Sequence, residues 1–251
     1  MKRVATLLIV TTLLVPHITL ACERPMFIDA VVLPIKERGE MVNETFKKRP
    51  GHDSVCIYVA TWAEVRDGPE GNILGVYVAT YKKEDSRVTA ELRYTINADL
   101  LWSGPTIEID PVNYRIHESV NAFGIRTSWG FLGSSFSRSS DQLDLLIPVG
   151  ESRLRSVLSL LIASGHSARE CPVECKIPSD PYSGCSPRCE GENTSVSGVV
   201  IIGENAQMGY RDIIVKTTHT TSDPNGVRPV KKRKSKLTFR WDGEKYVLQQ
   251  R

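Results

Sequence analysis

The residues best suited to chemistry are six cysteines: Cys22, Cys56, Cys171, Cys175, Cys185 and Cys189. Four of them crowd into one stretch as two pairs, each with three residues between its members. Thiolates at that spacing can hold zinc, because structural zinc sites draw on Cys pairs two to four residues apart. They can equally close disulfides, which an oxidising compartment favours. No pair has the two-residue spacing of the dithiol redox motif.

The N-terminus bears on the compartment. Lys2 and Arg3 form a short positive region, and Val4 to Val15 carries no charge. Pro16 and His17 end that run, and Thr19-Leu20-Ala21 places small residues where a signal peptidase reads. The run is too short for a membrane-spanning helix, which takes about 20 residues. The pattern predicts a signal peptide over residues 1–21 and a periplasmic or secreted mature chain. Removing Lys2 and Arg3 takes the 32 basic residues to 30 against 29 acidic ones, so the net charge falls from +3 to +1. A lipid anchor on Cys22 is the alternative, but Thr19 and Leu20 fit a lipoprotein signal poorly. Lipidation would also leave an odd cysteine among the other five. Structural disulfides are therefore expected. Six cysteines allow 15 pairings, and spacing does not choose among them. The preferred set is Cys22–Cys56 with Cys171–Cys189 and Cys175–Cys185 nested around residues 176–184.

Catalytic signatures are missing. There is no Gly-x-Ser-x-Gly elbow, no His-Glu-x-x-His, and no glycine loop for phosphate or dinucleotide. His52, His117, His166 and His219 are scattered, with no two at ligand spacing. His117 with Asp110 is the least implausible acid–base pair. The carboxylate pairs Glu108/Asp110 and Asp141/Asp144 are unspecific. From Gly203 to Val215 the chain resembles a turn that can chelate calcium through carboxylate oxygens. Ala206 and Met208 occupy two of its ligand positions, so a turn without metal is expected. No cofactor, metal or nucleic-acid motif is implied.

Lys231-Lys232-Arg233-Lys234-Ser235-Lys236 is the densest charge run. It reads either as a patch that steers an acidic partner, or as a solvated loop that protects the following strand from edge pairing.

Positioning these groups falls to β-structure. Val55 to Trp62, Ile73 to Tyr81, Val88 to Ile96 and Phe123 to Thr127 are rich in β-branched and aromatic residues. Turn-forming clusters such as Asp67-Gly68-Pro69, Ser103-Gly104-Pro105 and Asp223-Pro224-Asn225-Gly226 separate them. Asp242-Gly243 predicts a two-residue hairpin loop between Leu237–Trp241 and Glu244–Leu248. Val31 to Leu33 suggests a short strand among Pro25, Pro34 and Pro50. Leu154, Val157, Leu158, Leu161 and Ile162 share one face at helical spacing and predict a short helix packed on the sheet. The expectation is an all-β antiparallel sandwich or barrel-like fold with at most one short helix. Residues 22–251 form a single domain with a disulfide-stapled insertion at 165–195. No later apolar stretch is long enough for a transmembrane segment.

Residues 109–116 and 121–126, with Leu143–Ile147, Leu154–Leu158 and Phe239–Tyr246, are similar to a pattern in a family of uncharacterised exported, periplasmic bacterial proteins. The resemblance spans about residues 105–250. It implies export and a β-rich fold and carries over no functional residues. The turn from Gly209 to Val215 is also similar to one in periplasmic lysozyme inhibitors.

These readings favour a non-catalytic module that binds a protein partner, such as an envelope inhibitor or immunity-type protein. A periplasmic hydrolase or a structural envelope component are the alternatives. The expected docking residues are Tyr182, in the stapled loop, and Lys231, Lys232, Arg233, Lys234 and Lys236.

Overall fold

The computed structural model describes residues 21–37, 42–64, 72–98, 105–132, 136–168, 193–223 and 229–249. Almost all of them lie in one twelve-stranded, mostly antiparallel sheet. β1 (Val42–Lys48), β2 (Val55–Glu64), β3 (Asn72–Lys82) and β4 (Val88–Ala98) form a first meander. β5 (Thr106–His117), β6 (Val120–Leu132), β7 (Phe136–Val149) and β8 (Arg153–Ala168) form a second. β9 (Asn193–Gln207), β10 (Tyr210–Ser222), β11 (Pro229–Trp241) and β12 (Tyr246–Leu248) form a third. A parallel contact at Glu91 and Arg153 joins β4 to β8, and β9 pairs with the far end of β8.

Alternation along the strands separates three cores. Cys56, Tyr58 and Ala60 of β2 face one way, and Ile57 and Val59 face the other. The first set packs with Tyr77, Ala79 and Tyr81 against an N-terminal helical segment. The second set packs against Ile109, Phe123, Ile125 and Leu146 of the second meander. The opposite side of that meander, with Tyr114, Leu143, Leu145 and Ile147, packs against Ile213, Val215, Phe239 and Trp241 of the third. Strands covered on both faces read as near-continuous apolar runs, which is the texture of β2 and of Leu143–Ile147.

The helix is not where the sequence suggests. A 3-10 turn (Met26–Ile28) leads into α1 (Asp29–Glu37), over the segment expected to hold a strand. Ile28, Val32 and Ile35 recur at helical spacing and are buried. That buried face holds the helix together although Pro34 removes an N–H from its interior.

Residues 154–162, expected as a helix, lie in β8. Leu145 pairs with Leu158 and Leu146 with Ser156, so Val157 is an extra residue. Asp141 pairs with Ala163 and Gln142 with Leu161, so Ile162 is another. Each bulge shifts the inward parity of the strand by one. Buried positions thus fall at 154, 157, 158 and 162, which imitates a helical period. Leu161, which a helix would bury, is 54% exposed.

The C-terminal hairpin forms, with a four-residue loop rather than two. Trp241 pairs with Tyr246, and Asp242 Oδ1 accepts from the N–H groups of Glu244 and Lys245 at 2.9 Å each. A two-residue loop would set Glu244 opposite the buried Trp241. The longer loop sets Tyr246 there, and the two rings meet edge to face at 5.4 Å.

A disulfide joins Cys22 to Cys56, as expected, and ties the start of the helical segment to β2. Beside it, the Tyr81 hydroxyl donates to the Glu23 carbonyl at 2.6 Å, and burial pushes its pKa up to about 12. Cys171, Cys175, Cys185 and Cys189 lie outside the described residues, as do residues 1–20. No described helix is long and apolar enough to cross a membrane.

The bridge closes a loop with a sequence separation of 34. In the chain-entropy account that restricts the unfolded state by about 4 kcal/mol. Replacing Cys22 and Cys56 together by alanine should lower unfolding stability by about that amount in denaturant titration. Non-reducing peptide mapping of the parent chain should recover the Cys22–Cys56 link.

Candidate functional site

The basic run lies in a strand, not in a loop. Lys231 to Lys236 belong to β11, held in register by β10 through Lys231↔Thr221, Arg233↔His219, Ser235↔Thr217, Lys232↔Thr220, Lys234↔Thr218 and Lys236↔Lys216. Lysines are poor strand formers, but the β-branched threonines of β10 supply a template. β10 is fixed in turn against β9 through a tight turn at Met208 and Gly209, with φ of 51° and 80°. Positive φ at both positions is the signature of a type I′ hairpin. Gly209 is required there, because a Cβ would stand 2.6 Å from His117 Nε2.

Alternation deals the cations to both faces. Lys231, Arg233 and Ser235 continue the face that carries Phe239 and Trp241 into the core. There the Thr217 and Ser235 hydroxyls meet at 2.5 Å, and His219 Nε2 lies 3.4 Å from Thr217 Oγ1. A hollow of about 390 Å³ is lined by His219, Thr221, Lys231, Arg233 and Ser235. The opposite face carries Lys232, Lys234 and Lys236, with Lys216 directly across from Lys236. Lys231, Lys232, Arg233, Lys234 and Lys236 are all exposed, and none forms an ion pair with a carboxylate among the described residues. β12 pairs only with Phe239–Trp241, so the first part of β11 is a sheet edge among the described residues.

Tyr182 and residues 176–184 lie outside the described residues. The residues that flank the cysteine-rich segment are placed. Ser167 pairs with Asn193, Asn193 with Ser222, and Ser222 with Pro229. These flanking residues therefore lie at the end of β11 where Lys231 stands.

The other candidates are occupied. Asp110 is buried and accepts from Arg126 Nε at 2.7 Å, the Tyr114 hydroxyl at 3.0 Å and the Val112 N–H at 2.9 Å. His117, seven residues along the bulged β5 but only about four positions away along its partner β6, roughly 13 Å at strand rise, packs against Tyr210 with ring centres 4.8 Å apart and contacts Ser119. The structure thus holds the acid–base pair apart. In the turn considered for calcium, Asp212 is buried and bridged by Arg240 at 3.4 Å, and Glu204 is exposed. Among the described residues no group of three or more His, Cys, Asp or Glu could hold a metal. Asp144 is buried beside the Tyr94 hydroxyl and Gln142 Nε2, and burial raises its pKa. Glu108 stands 3.9 Å from Lys47. Sequence reasoning missed Arg49, which is buried at the β1–β2 turn with no carboxylate partner among the described residues. Its signal, a lone Arg-Pro-Gly between two strands, is too common to mark it.

Like charges directly opposite on an antiparallel pair destabilise it. Lys236→Glu should replace the Lys216–Lys236 repulsion with attraction and raise the melting temperature by about 1–2 °C at low salt. Differential scanning calorimetry with and without high salt checks this, and the gain should shrink as salt screens the pair.

No family model, curated protein or solved structure matches this chain.

Proposed function

We propose that the chain is an exported, non-catalytic binding module that docks an acidic protein partner on β10 and β11. The observation that carries this reading is the concentration of five exposed cations on a strand that, among the described residues, is a sheet edge with no carboxylate to neutralise them. Edge strands are commonly protected by one or two lysines. Protection alone does not call for Lys216 opposite Lys236, an arrangement that weakens the strand pair. A field of one sign at an exposed edge raises encounter rates with an oppositely charged partner. Export rests on the signal-like N-terminus and fits the Cys22–Cys56 disulfide. The described residues that flank the cysteine-rich segment, Ser167 and Asn193, lie at the same end of the sheet. An envelope inhibitor or immunity-type protein is the role this combination suits, since a rigid sheet pre-organises the surface and less order is lost on association. The engagement of Asp110 with Arg126 and of His117 with Tyr210 leaves the hydrolase alternative without its pair.

The test uses a labelled polyglutamate peptide as a stand-in for an acidic protein segment. The association rate should fall steeply as ionic strength rises. Changing Lys231, Lys232, Arg233 and Lys234 together to Glu should slow association about tenfold or more at low salt and flatten the salt dependence. The variant should keep the parent's circular dichroism. Equal rates for both proteins at low salt would remove β11 from the reading.

A further inference from the structure

A cleft of about 620 Å³ opens between the β1–β2 turn and the bulged part of β5. Its walls include Phe46, Pro50, Ile109 and Pro111, with Lys48 and Arg49 supplying positive charge. Arg49 is 7% exposed. Its Nη2 donates to the Asn121 carbonyl at 2.9 Å, and its guanidinium lies 5.3 Å from the centre of the Phe123 ring. Its Nε has no hydrogen-bond partner, and no carboxylate among the described residues pairs with it. His52, in the same turn, also keeps a buried ring nitrogen without a partner.

A buried guanidinium without a counter-ion is rare, because desolvating a charge is expensive unless it is paired. Asp110 and Asp212 obey that rule with Arg126 and Arg240, and buried Asp144 is held by hydroxyl and amide donors. Arg155 Nε is also buried without a partner, over Trp241, but Arg49 is the one of the two that lines this cleft. Burial disfavours its charged form, and His52's own burial, together with the Arg49 charge beside it, lowers the His52 pKa.

We infer that this cleft is a binding site for a carboxylate that carries an apolar group, with Arg49 as the anchor. The charge balance selects a carboxylate over a phosphate. Of the other cations in the wall, Lys47 stands 3.9 Å from Glu108 and Lys48 is paired with Asp53, and Asp110, which also lines the wall, is neutralised by Arg126. One cation therefore remains for the ligand, enough for a single negative charge. The planar guanidinium fork matches a carboxylate. Phe46, Ile109 and Pro111 would take the apolar substituent. Two sources present this chemistry: a small organic acid, or the C-terminus of a peptide ending in an apolar residue. The inference uses no residue of β10 or β11 and does not depend on the proposed acidic partner.

Side-chain Nε–Hε resonances in a nitrogen-15 NMR titration report on Arg49 directly. The probes are phenylacetate, phenylacetamide, N-acetyl-Ala-Phe with a free carboxylate, and the same dipeptide as its amide. The carboxylates should shift the Arg49 resonance saturably, with half-saturation below about 10 mM, and the amides should not. Tighter binding of the dipeptide than of phenylacetate points to a peptide C-terminus, and equal or weaker binding to a small acid. Arg49→Lys should weaken binding about tenfold by losing the fork. Because a change at Arg49 can disturb folding, Pro111→Trp provides a second arm: it should fill the rim and abolish the shift while the circular dichroism stays that of the parent. No saturable shift with either carboxylate, equal shifts with acid and amide, or an unaffected titration in Pro111→Trp would overturn the site and leave bound water as the partner of Arg49 Nε.

Discussion

Leu145 and Leu146 are neighbours on β7 and are buried in different cores. That two-sided burial is the constraint on which the rest of the molecule depends. The second meander has no solvent face to spare through its middle. Leu143, Leu145 and Ile147 must be covered by β10–β12, and Phe123, Ile125 and Leu146 by β2–β4. The first meander in turn buries its outer aromatic face, Tyr58, Tyr77 and Tyr81, under α1 and the Cys22–Cys56 bridge. The buried carboxylates inside these layers are admitted with partners, as with Tyr94 and Asp144 or Tyr114 and Asp110, whereas the Thr61 and Thr127 hydroxyls are buried without one.

One consequence is where function can sit. With the inner faces sealed, reactive and binding groups are left at edges, strand ends and the turns between layers. β11 is such an edge, and Arg49 sits under such a turn. The two places differ in character. The β11 cations are solvated and act through a field, so salt governs them. Arg49 is desolvated and short of a partner, so geometry and ligand shape govern it. The same distinction separates Asp110, fully engaged in a buried network, from a residue free to move protons.

Strand texture made much of this legible. Val55–Trp62, Ile73–Tyr81, Val88–Ile96 and Phe123–Thr127 are strands because β-branched and aromatic residues fit a covered sheet. The Cys22–Cys56 bridge was reachable through cysteine parity. What stayed hidden depended on long-range register. Two bulges in β8 give Leu154–Ile162 a helical period without a helix. Val31-Val32 resembles a strand until Ile28 and Ile35 are seen to share its buried face. Asp242 uses its side chain to cap a wider loop than Asp-Gly implies. The lysine run looks like a loop because nothing local announces the threonine strand that templates it. Arg49 was invisible because its oddity is the lack of a counter-ion among the described residues, which only the packed chain displays.

If two-sided burial of the second meander is the keystone, local stability should follow it. Native-state hydrogen exchange measures this amide by amide. The account predicts the slowest exchange in Phe123–Ile125 and Leu143–Ile147, close to the global unfolding free energy. The Lys231–Lys236 part of β11 should exchange much faster through local opening. Equal protection along β11 and β7, or faster exchange in Leu143–Ile147 than at the basic edge, would contradict it.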